Sequence, residues 1–275
     1  MFEILSSPFV IRAIIAIILI SVVSAFAGSF SVFRQSTFLI AGVAHAALGG
    51  AAFGILLALY SIVPFMDPLT GALVFAVLTG VFVGYVTQKG PREKIDIAIG
   101  GAFAMSMSLA VIFVSMIREY ATVAWGLLLG DILLLSNTDI LYLLVMSIVI
   151  TFVSILLFRE FLFISFDMET ASAYGVRVNL YNMIMLVIIS IAVVVVLKGV
   201  GAILVYALLT IPPAAANEIA DSPSQVVTYA FAISLFSGFV GLAISFFADV
   251  APSGITGLVV TIIYVITVIL RHGST

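Results

Sequence analysis

A chain of 275 residues that is 64% hydrophobic and only 8% charged, with a mean hydropathy of +1.39, has more apolar surface than one soluble core can hide, so a bilayer must receive it. A formal net charge of -3, spread over short loops with no long basic or acidic block, excludes a nucleic-acid footprint and an acidic tail. Zero cysteines exclude a disulfide framework and thiolate metal ligands.

A crossing needs about 20 apolar residues. On that measure the predicted spans lie near 10–33, 37–63, 68–87, 96–117, 139–158, 180–197, 199–217, 225–248 and 253–270. The runs are continuous and show no apolar-polar alternation, so they are helices and not barrel strands. The expected fold is an all-α integral membrane protein of eight to nine spans, a single transmembrane domain over 1–275 with no internal repeat.

The first span imitates a secretory signal, with Arg12, an apolar run and Ala25-Phe26-Ala27, but no large polar domain follows for export, which favours an uncleaved helix. The second span carries Gly42, Ala46, Gly49, Gly50 and Gly54, small residues that let helices approach closely. It also carries His45, the one ionisable side chain deep inside these runs, away from their ends. An ionisable group at that depth is costly without a partner or a cavity, so its default reading is a functional site. With the helix starting near Thr37, His45 lies roughly 12 Å along it, near mid-membrane.

Met105 and Met107 in the fourth span are soft ligands in principle, although methionine in an apolar helix usually packs. The stretch 120–135, with Trp125, Gly126, Gly130 and Asp131, reads as a re-entrant or surface helix, with Asp131 terminal or interfacial. The longest polar interval follows the fifth span, at about 159–179. Asp167 suits the cap of a short helix, Glu169 its positive end, and Gly175 the left-handed stop. The result is a predicted two-turn surface helix. Met168, Ala171 and Tyr174 recur at helical spacing and offer an apolar ridge to a soluble partner.

In the seventh span Pro212-Pro213 removes two successive backbone donors and predicts a broken helix beside a pathway. Asn217 and Glu218 follow it toward an exit, and Asp249 stands before Pro252 at the opposite mouth; for all three, a solvated helix end or loop is the ordinary reading. Arg34, Lys89, Arg92, Lys94, Arg159, Arg177 and Arg271 share one side of the nine-span arrangement, against Arg12, Arg118 and Lys198 on the other. The excess of Lys and Arg marks the cytoplasmic side, so the N-terminus is expected outside and the C-terminus inside.

Four stretches resemble the permease of metal-ion ATP-binding-cassette importers, which take up zinc or manganese. They are Gly28 through Arg34 to His45-Ala-Ala-Leu-Gly49; Arg92-Glu-Lys-Ile-Asp-Ile-Ala-Ile-Gly100 with Ala102-Phe-Ala104; Phe166-Asp-Met-Glu169 to Ala173-Tyr-Gly175; and Val200-Gly-Ala-Ile-Leu-Val-Tyr-Ala-Leu-Leu-Thr-Ile-Pro212. The resemblance implies a vitamin B12-importer-like fold, a homodimer in a prokaryotic cell membrane, two cytoplasmic ATPase subunits and a separate extracellular or periplasmic metal-binding protein. It further implies that Phe166, Asp167, Glu169, Tyr174 and Gly175 couple to the ATPase. The chain lacks a Gly-x-x-x-x-Gly-Lys-Ser/Thr phosphate loop, in keeping with ATP being handled by a partner, and no permanently bound cofactor or enzymatic activity is expected.

The family's Asp-x-x-x-His pair is incomplete, because Ala41 stands where the acid would be, one turn before His45. His45 is expected to offer imidazole to a passing metal ion, zinc more readily than hard manganese, or else to bond a neighbouring carbonyl or hydroxyl. The rival reading is a gradient-driven secondary transporter that uses His45 as its protonation site.

Overall fold

A computed structural model describes residues 7–61, 67–87, 93–117, 130, 132–248 and 250–272. Arg118, Trp125, Gly126, Asp131, Lys89, Arg92 and Asp249 lie outside the described residues, and so does most of the 120–135 segment. The described helices are α1 (Pro8–Phe33), α2 (Thr37–Leu59), α3 (Pro68–Thr87), α4 (Glu93–Met116), α5 (Asn137–Leu156), α6 (Phe158–Phe166), α7 (Met168–Ala173), α8 (Val178–Val200), α9 (Ala202–Ile219), α10 (Pro223–Ala248) and α11 (Pro252–His272). Eight of them are long and apolar enough to cross a membrane, and α9 contributes a shorter apolar stretch, Leu204–Ile219. The predicted spans are therefore met in order, with the seventh the short one.

Local signals set the ends. Ser7 accepts the Val10 N–H with Pro8 in the first turn of α1, and Ser136 and Asp139 close a reciprocal capping box on α5. Gly201, at φ +83°, separates α8 from α9, and Gly130 packs its backbone against Val200 and Gly201. A short 3-10 turn, Ile132–Leu134, leads from there to α5.

Two helices, α2 and α8, form the interior. From Ala192 to Leu197 every side chain of α8 is buried, which only a helix surrounded by other helices can achieve. The small residues of α2 serve the close packing expected of them: Gly50 meets the Gly71 backbone of α3 so closely that a Cβ would lie 2.2 Å from the Gly71 carbonyl oxygen, and Gly49 lies against Ser106 and Ala110 of α4. By contrast, α4, α5 and α11 leave most of their apolar side chains exposed or only partly buried, open to lipid.

The structure corrects the predicted break at Pro212-Pro213. Helix α9 runs through both prolines without interruption. Their missing N–H groups free the carbonyls four residues back, those of Leu208 and Leu209. The Ser24 hydroxyl donates to the Leu208 carbonyl, and the Leu209 carbonyl sits where a Cβ on Gly28 would meet it at 2.2 Å. Both Ser24 and Gly28 belong to a π-helical turn, Ser24–Gly28, that interrupts α1. The wide turn of one helix thus covers the unbonded carbonyls of the other, a known way for proline to be kept in a membrane helix.

Candidate functional site

Intramembrane and surface groups make up the candidate site. His45 sits partly buried on α2 with its ring edge-on to Phe103 of α4, centroids 4.8 Å apart. Nδ1 lies 2.9 Å from the carbonyl oxygen of Ala41. A carbonyl only accepts, so Nδ1 carries a proton, and in the neutral ring the lone pair is then on Nε2. Ala41 thus offers the ring only its backbone oxygen, and that bond selects the Nδ1–H tautomer. Among the described residues no group of three or more His, Asp or Glu side chains gathers as a closed metal site.

Of the predicted exit residues, Asn217 is exposed at the end of α9, and Glu218 is held by Arg271 at 2.7 Å. This pair ties the ends of α9 and α11 together. Pro212 and Pro213 are buried within α9 and serve the junction with α1.

The polar interval contains two helices instead of one. α6 buries Phe161 and Ile164, with Phe161 edge-to-face on Phe30 of α1 at 5.2 Å. α7 then has six residues, shorter than expected, but its ends follow the sequence reading. Asp167 accepts the Thr170 N–H at 3.0 Å and also the Thr170 hydroxyl. At the other end Gly175 adopts φ +81°, the Gly175 N–H bonds the Ser172 carbonyl and the Val176 N–H bonds the Ala171 carbonyl, both at 3.0 Å. That double closure is the Schellman arrangement, and its left-handed residue is cheap only as glycine. The Asp167 carboxyl is held below its ordinary value, first by the Thr170 hydroxyl and then by the Thr170 N–H.

The predicted apolar ridge is corrected. Ala171 is fully buried and Met168 partly so, turned inward against the protein, because a helix this short must bury a face to be held. What faces outward is Phe166, Glu169, Thr170 and Tyr174, with Tyr174 79% exposed. A cleft of about 420 Å³ lies beside α7, lined by Thr87, Met168, Glu169, Ser172, Val178, Asn179 and Asn182.

Sequence reasoning missed Asn182, only 1% exposed in α8, whose amide lies between Arg34 and Thr87. The available signal was an amide at the start of an otherwise apolar run. It also missed the pairing of Lys198 with Asp139, 3.3 Å apart.

The family model described as the ABC 3 transport family matches residues 6–271. An uncharacterized membrane protein of Synechocystis sp. is 30% identical over 272 residues, covering 99% of this chain and 94% of its own. The manganese transport system membrane protein MntC of Listeria monocytogenes is 29% identical, with 94% and 89% covered. The high-affinity zinc uptake system membrane protein ZnuB of Haemophilus influenzae is 27% identical, with 91% of each covered. Among solved structures, PsaBC from Streptococcus pneumoniae in complex with Fab superposes with a TM-score of 0.83 at 25% identity, covering 97% of this chain and 93% of that one.

Proposed function

The chain belongs to the ABC 3 transport family and is a multi-pass membrane permease, and from that premise we propose that it moves a divalent transition-metal ion, zinc or manganese, through an ATP-driven importer. The family match over nearly the whole chain carries this reading, and relatives named for manganese and for zinc support the cargo class. ATP is hydrolysed by partner subunits. The assembly is a homodimer of this chain with two cytoplasmic ATPases, supplied from outside by a metal-binding protein. The gradient-driven alternative loses its support with the family assignment.

In this reading His45 of each copy lines the path and presents Nε2 to the passing ion. The Nδ1–H to Ala41 bond stops the ring from turning that nitrogen away. Without a carboxylate at position 41, imidazole ligation suits zinc better than manganese, which favours oxygen. Glu218, paired with Arg271, and Asn217 stand at the inner end of the path, and the order of the spans in the sequence assigns Asp249 to the outer mouth.

On the cytoplasmic side α7 is the docking element. The Asp167 cap and the Gly175 stop hold it as a rigid knob, and Phe166, Glu169 and Tyr174 meet the ATPase. Movement of the knob rocks the spans so that the path opens alternately to each face. The test is uptake of manganese and zinc by the reconstituted complex. His45→Ala is expected to lower uptake at least tenfold with the amount of protein unchanged. Unchanged uptake removes His45 from the path.

A further inference from the structure

We propose that Arg34 is a positioning residue that carries the displacement of α7 into the spans, through a relay of Met168, Arg34, Asn182 and Thr87. The inference rests on the reading of α7 as the docking element. It rests equally on hydrogen bonds that no docking argument supplies.

Four separate elements meet at this one guanidinium and its neighbour. Arg34 Nη2 lies 3.2 Å from the Met168 sulfur on α7, and Nε donates to the Asn182 side-chain oxygen on α8 at 3.3 Å. Asn182 in turn donates through Nδ2 to the Thr87 hydroxyl at 3.1 Å, and that hydroxyl donates to the Gly84 carbonyl at 2.9 Å, at the end of α3. A fixed planar fork is the side chain that can hold two such partners in set directions.

The backbone beneath Arg34 is equally constrained. Arg34 closes α1, with its N–H on Phe30, and Gln35 follows at φ +56°. Gln35 N–H bonds the Val32 carbonyl and Ser36 N–H bonds the Ser31 carbonyl, so this turn has the same double closure as the end of α7. Here, though, the left-handed residue is glutamine, which adopts that conformation only under strain. A strained turn kept rigid beside a buried amide is suited to transmit a push and not to absorb it. Its output is direct: Thr37 starts α2, the helix of His45, and α3 is in backbone contact with α2 at Gly50 and Gly71.

The experiment uses the full complex with its ATPase in liposomes, with manganese(II) and zinc(II) as the transported probes, and reads metal moved per ATP hydrolysed. Arg34→Gln is expected to keep ATPase association and basal hydrolysis within about twofold while the transport ratio falls at least about tenfold. Arg34→Lys, which keeps the charge but not the fork, is expected to restore less than half of the ratio. Thr87→Val, nearly isosteric at the far end of the relay, is expected to uncouple by about threefold, and it serves if Arg34→Gln does not fold.

Because the chain has no cysteine, Ala41→Cys gives a labelling reporter beside His45 that needs no cargo. Its nucleotide-dependent labelling is expected to vanish in the Arg34→Gln background. A ratio and a labelling response within twofold of the parent overturn the proposal, and so does loss of ATPase association in Arg34→Gln. Retained association in Tyr174→Asp overturns the docking reading instead, whatever Arg34 does.

Discussion

The two ends of the bundle tie their helices together by different physics. At the end expected to lie outside, Lys198 of α8 meets Asp139 of α5 at 3.3 Å, Asp139 also accepts from Ser136, and Arg12 of α1 reaches Asn137 at 3.4 Å while lying over the Phe9 ring. These groups are partly exposed, so solvent screens them and each is worth little alone. At the opposite end Arg34, Asn182 and Thr87 join α1, α8 and α3 through an amide on a residue only 1% exposed. A buried hydrogen-bonded group is costly to strip of a partner, so the inner end holds its geometry more firmly. The contrast in burial is what the proposed relay through Arg34 needs: a firm junction at the inner end, where the ATPase is proposed to act, and a looser one at the outer end.

The sharpest way to break this contrast is Asn182→Leu, which takes the amide away from both Arg34 and Thr87. We expect a loss of about 1–3 kcal/mol, read as a lowered melting temperature in detergent. A loss no larger than that of an outer-face variant removes the distinction.

Next in size is Asp167→Ala, which strips the cap from α7 and is expected to weaken ATPase association roughly several-fold, with faster exchange of the Thr170 N–H. The pH dependence of the cap has a definite sign. The folded carboxyl lies below 3.8, so the charged cap is complete above that value and is lost only as the pH falls through the lower folded value. Association is therefore expected to be flat from about pH 8 to about pH 5, and a decline within that window contradicts the cap.

Smaller still is Lys198→Met, expected to cost about 0.2–1 kcal/mol at low salt and less at high salt, measured by the same melting assay. A salt-independent cost above that range would give the outer end the character assigned to the inner one. The smallest effect is expected from Glu218→Gln, because the arginine it pairs with is about half exposed and solvent screens the pair: under about 0.5 kcal/mol and no change in uptake. A large fall in uptake there would make Glu218 a ligand of the passing ion and not only a tie at the inner end of the path.

Particular residues show what could be read in advance. The ends of α7 were legible because Asp167 and Gly175 act on backbone within three or four residues of themselves. The glycines of α2 were legible as packing, since small residues in a membrane helix have little other use. The direction of the Met168 and Ala171 ridge was not, because spacing says that a face exists but not whether protein or solvent takes it. The Pro212-Pro213 break failed for a related reason. The lost hydrogen bonds were real, but the group that covers them, Ser24, stands 184 residues from the carbonyl it reaches.

Composition and run length by themselves determined the solvent, the all-helical form and the order of the spans, eight to nine in number, because the cost of unpaired backbone in hydrocarbon leaves a chain this apolar few alternatives. Tertiary structure alone decided which side chains complete one another: Arg34 with Asn182 at a separation of 148 residues, Asn182 with Thr87 at 95, and the π-helical turn with the double proline. Such pairings depend on which helices become neighbours and in what register, and that is settled by the packing of whole faces, which no local pattern of residues encodes.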